Sequence, residues 1–233
     1  MARATFSGYC ERVGPELWAE PLNAVTNLAF IAAAVVLARM LARAEGAGRH
    51  DPACWVLVAL IFLIGIGSGL FHTFAVGWAA LADVIPIALF ILLYTWFALV
   101  RFAAVGVVIG LLGVVAVIGL AAAIPLLTGF GGGTYAAALL TLIAVGFFLY
   151  GWRRHPAGSV LLWAAAVFAV SLTLRTLDQP LCSAWPLGTH FAWHLLNAVV
   201  LTMVTRAMIR FGRPAPDDGA GIAPKNGTGN SVL

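Results

Sequence analysis

His190 and His194 stand four residues apart at the head of the last long apolar run, in Thr189-His190-Phe191-Ala192-Trp193-His194. On a helix that spacing places both imidazoles on one face, one turn apart. They can then reach a single metal ion, as the paired histidines of H-E-x-x-H helices do. Taken alone, the pair reads equally well as two core side chains. The other ionisable groups of the apolar runs bear on that choice. His72 closes an earlier run, with Ser68 one turn before it on the same face, and Asp83 opens the next. Such groups are rare inside apolar runs because burying them unpaired is costly, and they face a bundle interior or a cavity.

The elements that must position these residues follow from composition. Of 233 residues, 62% are hydrophobic and only 9% charged, whereas a soluble domain carries about 25% charged residues. With a mean hydropathy of +1.00, the chain reads as an integral membrane protein. Its net charge of +4 comes mainly from arginines scattered at the ends of apolar runs. That pattern speaks for membrane topology rather than for nucleic-acid binding. Met1 to Pro21 contains acidic and polar residues and no apolar signal-peptide core, so the first apolar run is expected to act as its own insertion signal.

Seven runs are long enough to span at roughly 20 residues per helix: Leu22–Leu41, Ala53–Phe74, Ala79–Val100, Phe102–Leu126, Thr134–Trp152, Gly158–Thr176 and Thr189–Ile209. They are too long and too uniform for barrel strands, which would alternate over about ten residues. The expectation is an all-α seven-transmembrane helix bundle over residues 22–211, preceded by an external segment, 1–21. A Pro- and Gly-rich tail, 212–233, reads as disordered. Ten of the 13 basic residues fall on one side: Arg39, Arg43, Arg49, Arg101, Arg153, Arg154, Arg206, Arg210, Arg213 and Lys225. The positive-inside rule then puts the N-terminus outside and the C-terminus in the cytoplasm.

On that frame His72, Asp83, His190 and His194, from three different helices, fall at a similar depth near the external face. The simplest account is that the three histidines face each other and share a cation. His50 and His155 lie in cytoplasmic loops and read as solvated. Each polar partner has a bland alternative. Ser68 could bond a carbonyl of its own helix. Asp83 could pair with Arg175 or orient a metal-binding histidine. Arg175 and Asp178 read as a local ion pair, or else Arg175 contacts a substrate head group or Glu20.

These residues carry a resemblance. The chain resembles the alkaline ceramidase family, within a larger seven-span group that includes the progestin/adiponectin receptors. The matching segments are Tyr9-Cys10-Glu11, Trp18-Ala19-Glu20-Pro21-Leu22-Asn23, Gly67 to His72, Asp83-Val84-Ile85-Pro86 and His190 to Leu195. They occur in the family's order on the family's spans, to about Phe211. The N-terminal wording is similar to bacterial members, which implies a bacterial inner membrane with the site toward the periplasm.

The resemblance implies a zinc ion held by His72, His190 and His194, with Ser68 and Asp83 beside it as catalytic groups. It implies hydrolysis of the N-acyl amide of ceramide or a related lipid to a fatty acid and an amine. Chemistry agrees: three protein ligands leave a fourth zinc position for water, whose pKa the metal lowers to about 7. In this reading Asp83 takes the water's proton and returns it to the leaving amine, and Ser68 steadies the oxyanion. The family resemblance also implies a calcium site in the N-terminal segment. Glu11 and Glu20 match two of its carboxylates, while Gly8 and Val13 stand where two further side-chain ligands belong. A Cys10–Cys182 disulfide is implied in the same way, and Cys54 is expected as a reduced thiol. The lipid substrate and the membrane are the partners expected, with no protein partner evident. The competing classes are a lipid-sensing receptor with a structural zinc and a transporter or proton path. The transporter reading lacks internal repeats or paired broken helices.

Overall fold

The computed structural model describes residues 8–44 and 46–212, so the expected disordered tail lies outside the described residues. Among the described residues the fold is all-helical, with seven helices long and apolar enough to cross a membrane. The first span, Pro21–Ala42, is built from α1 (Pro21–Thr26) and α2 (Leu28–Ala42), joined at Asn27. The others are α3 (Pro52–Phe74), α4 (Gly77–Phe97), α5 (Val107–Thr128), α6 (Gly133–Phe147), α7 (Ala157–Leu177) and α8 (His190–Phe211).

Local sequence sets several of these ends. Pro21 and Pro52 sit in the first turns of α1 and α3, where a missing N–H costs nothing. Asp51 caps α3 by accepting from the Ala53 amide at 3.0 Å. Gly129 ends α5 at φ 72°, a left-handed position suited to glycine. The fourth span begins later than hydropathy suggests, at Val107 rather than Phe102. The reason is that α4 runs on through a π-helical turn, Ala98–Phe102, and the chain then reverses at Ala104 with φ 51°. Span five ends in the same manner, with a π turn at Phe148–Trp152 followed by Arg154 at φ 52°. Arg153 donates to the Ala103 carbonyl and so ties the two reversals together. His155 is not simply solvated: its ring lies near Phe102 and Phe211, and its Nδ1 accepts from the Ala157 amide.

The spans form a closed ring in which each packs on its sequence neighbours and α8 returns to α2, with α3 also touching α8. Leu37, Leu57, Ile61, Leu161 and Met208 fill the centre. Val108, Ile109, Leu112 and Val115 of α5 face outward, as a helix bordering lipid requires. The close approach of α3 to α4 depends on Gly67: a Cβ there would stand 2.0 Å from the Ala82 carbonyl oxygen. Gly65 meets α2 closely too, its Cβ position lying 2.7 Å from the end of the Ile31 side chain. Small residues at these points let backbones meet where larger ones would hold them apart.

Candidate metal centre

The ring brings the C-terminal turn of α3 and the N-terminal turn of α8 to one end of the bundle. There His72, His190 and His194 converge, all buried. Each offers a ring nitrogen, and the three lie within 4.8 Å of one another. Ring centroids are 4.7 Å apart for His72–His194 and His190–His194, and 5.1 Å for His72–His190.

Two neighbours fix the tautomers. The Glu20 carboxylate contacts His72 Nδ1 at 2.5 Å. An ionised carboxylate only accepts, so Nδ1 carries the proton and Nε2 presents a lone pair. Thr26 Oγ1 lies 2.9 Å from His194 Nδ1 while it bonds the Leu22 and Asn23 carbonyls. Its hydroxyl proton is thus committed to a carbonyl, and it accepts from His194 Nδ1–H. That leaves His194 Nε2 buried with no protein partner, as is His190 Nδ1. Orphaned nitrogens in a buried cluster are costly, and a shared cation answers that cost. The donor set therefore fits a metal ion.

Asp83 joins the cluster from the second turn of α4, positioned by the Gly67 contact between α3 and α4. The Ser68 hydroxyl lies beside its carboxylate, and Asp83 Oδ1 is buried without a hydrogen-bond partner. The role of orienting a histidine, open to Asp83 in the sequence, is taken at His72 by Glu20.

An apolar cavity opens directly below this layer. Ile64, Ile87 and Asn197 line its top, each one helical turn beyond Ser68, Asp83 and His194 on the same faces. Phe90, Tyr94, Phe168 and Val204 continue it toward the far end of the bundle. From Ile87 to Ala98 along α4 it runs about 16 Å at the helical rise. Its volume is small, about 90 Å³, so it is a narrow slot rather than a roomy pocket.

The model of the Ceramidase family matches residues 7–217. The chain belongs to the ceramidase family. Membership implies a hydrolase acting on amide bonds, with a lipid substrate and a place in the membrane. Comparison with individually curated proteins gives no match.

The N-terminal segment of this ceramidase-family chain folds over the histidines. Cys10 is disulfide-bonded to Cys182, with Cα atoms 5.2 Å apart. Cys54 forms no disulfide and sits buried beside Asp51. The Tyr9 ring stacks on His190 at 3.8 Å between centroids. Burial pushes the Tyr9 hydroxyl well above its ordinary pKa, so it stays neutral. Asp178 does not pair with Arg175. Its Oδ1 accepts from the Thr189 and His190 amides at 2.7 and 2.9 Å, and its Oδ2 from the Cys10 amide at 3.0 Å. One carboxylate thus holds both the start of α8 and the segment that covers it. Arg175 lies instead over the rings of Tyr135 and Trp193, at 4.9 and 5.6 Å.

Glu11 and Glu20 match two carboxylates of the calcium site that the resemblance implies, and Glu20, next to Pro21, also reads as a cap for the first helix. Glu11 accepts from the Leu22 and Asn23 amides at 2.6 and 2.8 Å, so it is Glu11 and not Glu20 that caps α1. Glu20 contacts Arg12 through Oε1, and His72 and Asn23 through Oε2. Burial alone would raise the Glu20 carboxyl, but these donors outweigh it and hold it below its ordinary pKa. All four carboxylate oxygens are already engaged, and an arginine stands among them. The residues present do not fit a calcium ion, which wants about 6–8 oxygen ligands.

Proposed function

We propose that this chain is a zinc-dependent amidase that cleaves the N-acyl bond of ceramide or a related lipid within the membrane. The observation that carries the reading is the three-histidine cluster with two orphaned ring nitrogens above an apolar slot. His72, His190 and His194 are the ligands, and zinc in this three-ligand setting supplies a Lewis acid and an activated water. The acyl chain fills the slot, which sets the amide at the level of Ser68 and Asp83. The Asp83 carboxylate, with Oδ1 partnerless, takes a proton from water and later delivers it to the leaving amine. Ser68 lies beside the Asp83 carboxylate in the resting site and turns its one hydroxyl proton to the substrate carbonyl oxygen as charge develops there. Tyr9, stacked on His190, limits water access from above.

The histidine end faces the non-cytoplasmic side, which in a bacterial inner membrane is the periplasm. Support comes from Arg39, Arg43, Arg101, Arg153, Arg154, Arg206 and Arg210 gathering toward the opposite end. The Cys10–Cys182 bond at the histidine end supports the same side, since it suits an oxidising compartment.

The test is turnover of a panel of N-acyl lipids by purified wild type and Asp83→Asn. The reading expects fatty-acid release from at least one long-chain N-acyl lipid and a fall of about 10²–10⁴-fold in the variant, the usual worth of a general acid-base. An Asp83→Asn enzyme as fast as wild type overturns the proton-transfer role. Lipid binding with no turnover on any substrate favours a receptor.

A further inference from the structure

We infer that Arg12 is the resident cation of the N-terminal segment. One buried guanidinium gathers the loop's oxygen atoms around Glu20 and so positions Glu20 against His72, and the segment needs no divalent ion to do this.

Arg12 is 7% exposed, in a segment with no regular secondary structure. Its Nε donates to Glu20 Oε1. One terminal nitrogen donates to the Gly14 and Glu16 carbonyls at 3.4 and 3.3 Å. The other donates to the His72 carbonyl at 3.0 Å. Four oxygens from three stretches of chain, one from a carboxylate and three from carbonyls, thus converge on a single cation. Such an oxygen set is what a hard metal ion gathers, and here the planar guanidinium fork fills it. The loop closes on itself through Gly14 and Glu16. It is joined to α3 through the carbonyl of the very residue whose ring Glu20 holds at Nδ1.

A carboxylate as buried as Glu20, at 1% exposure, needs hydrogen-bond donors on both oxygens, and Arg12 supplies the one at Oε1. Arg12 balances its charge from the side away from the ring. The arrangement explains why Glu11 is spent on the α1 amides: with the loop cation already present, no second carboxylate is needed to complete a metal shell. Among the contacts of the described residues, Arg12 meets His72 only at its backbone carbonyl and reaches none of the three imidazoles and no residue lining the apolar slot. It acts through Glu20 and is a positioning residue. The inference concerns the loop and Glu20, and it stands whether or not the lipid amidase reading holds.

The experiment measures calcium binding and thermal unfolding of the detergent-purified full chain, so that it does not depend on a substrate. Equilibrium dialysis with radioactive calcium is expected to show no site at millimolar concentration. The melting temperature of the wild type is expected to be the same in EGTA and in calcium. In Arg12→Ala the midpoint falls, on the order of 10 °C, because Glu20 is left buried without its guanidinium partner. Arg12→Lys recovers only part of the fall, since one ammonium cannot span acceptors on three stretches of chain. A stoichiometric calcium site in the wild type, or a melting temperature that drops in EGTA and returns with calcium, overturns the inference. So does an Arg12→Ala protein that melts with the wild type. If Arg12→Ala does not fold, the wild-type dialysis and melting measurements still decide. Failure of the amidase reading would appear separately, as absent turnover with these results unchanged.

Discussion

Among the described residues each end of the bundle carries one arginine–carboxylate pair, and the two pairs do different things. At the histidine end Arg12 meets Glu20, with both side chains 2% exposed. At the other end Arg101 meets Asp51, with side chains 18% and 11% exposed. The Asp51 pair is bidentate, at 2.5 and 3.0 Å, and Asp51 also caps α3 while Arg101 reaches the Gly212 carbonyl. It staples the ends of α3, α4 and α8 near water. The Glu20 pair is out of water, and its third member is a histidine ring. Residue types alone do not distinguish the pairs. Burial and the third partner do: a carboxylate that must hold an imidazole needs its own charge balanced nearby, and one that caps a helix does not.

That contrast can be broken by substitution at both ends. The largest effect is expected at the histidines themselves. Elemental analysis should find zinc in wild type and none in His190→Ala, with turnover at background, because two ligands do not hold a catalytic zinc. Next comes Glu20→Gln, which keeps the shape and removes the charge. Chelator competition should show zinc affinity reduced about 10–100-fold, the usual worth of a carboxylate behind a metal-binding histidine. If Glu20→Gln binds zinc as tightly as wild type, the pair at this end is as structural as the one at the other. Asp178→Asn is intermediate. An amide has one acceptor oxygen for the three N–H groups that Asp178 now serves, so unfolding stability should fall by about 1–2 kcal/mol. Zinc affinity should fall less than in Glu20→Gln.

The smallest effect belongs to the far pair. Asp51→Asn should cost under about 1 kcal/mol of stability, as partly exposed ion pairs do, and leave turnover unchanged. Its pH dependence follows from the folded state. Burial alone would raise the Asp51 carboxyl, but hydrogen bonds from Arg101 and Cys54 and the Arg101 charge hold it below its ordinary value. A carboxyl lowered on folding contributes stability above its unfolded pKa, about 3.9, and loses it as pH falls further toward the folded value. Unfolding curves of wild type should therefore weaken below about pH 4, and the Asp51→Asn curve should lack that component.

Much of the fold was legible because a bilayer constrains sequence strongly: seven apolar runs of spanning length left little choice of architecture. The end of α4 was not legible. A π turn and a left-handed Ala104 have no hydropathic signature, and Ala is not a residue that announces a positive φ. The histidines could be read because their depth in two runs follows from counting residues. Glu20 and Asp178 could be noticed but not assigned, since their partners depend on how two irregular segments fold over a helix end. Glu20 sits next to Pro21 and looks like a helix cap, yet the capping falls to Glu11, nine residues earlier, after the chain turns back. Thr26 gave no signal, because a threonine on an apolar helix ordinarily bonds its own backbone. Thr26 does that too, and its contact with His194 is an addition visible only in three dimensions.

The central claim is that a metal held by His72, His190 and His194 performs amide hydrolysis on a lipid. Its most direct test is fatty-acid release from an N-acyl sphingoid lipid by protein stripped of metal with a zinc-selective chelator and then resupplied with zinc. The account predicts that release stops on stripping and returns with zinc. Equal release from the stripped protein, or none from the zinc-loaded protein, would contradict it.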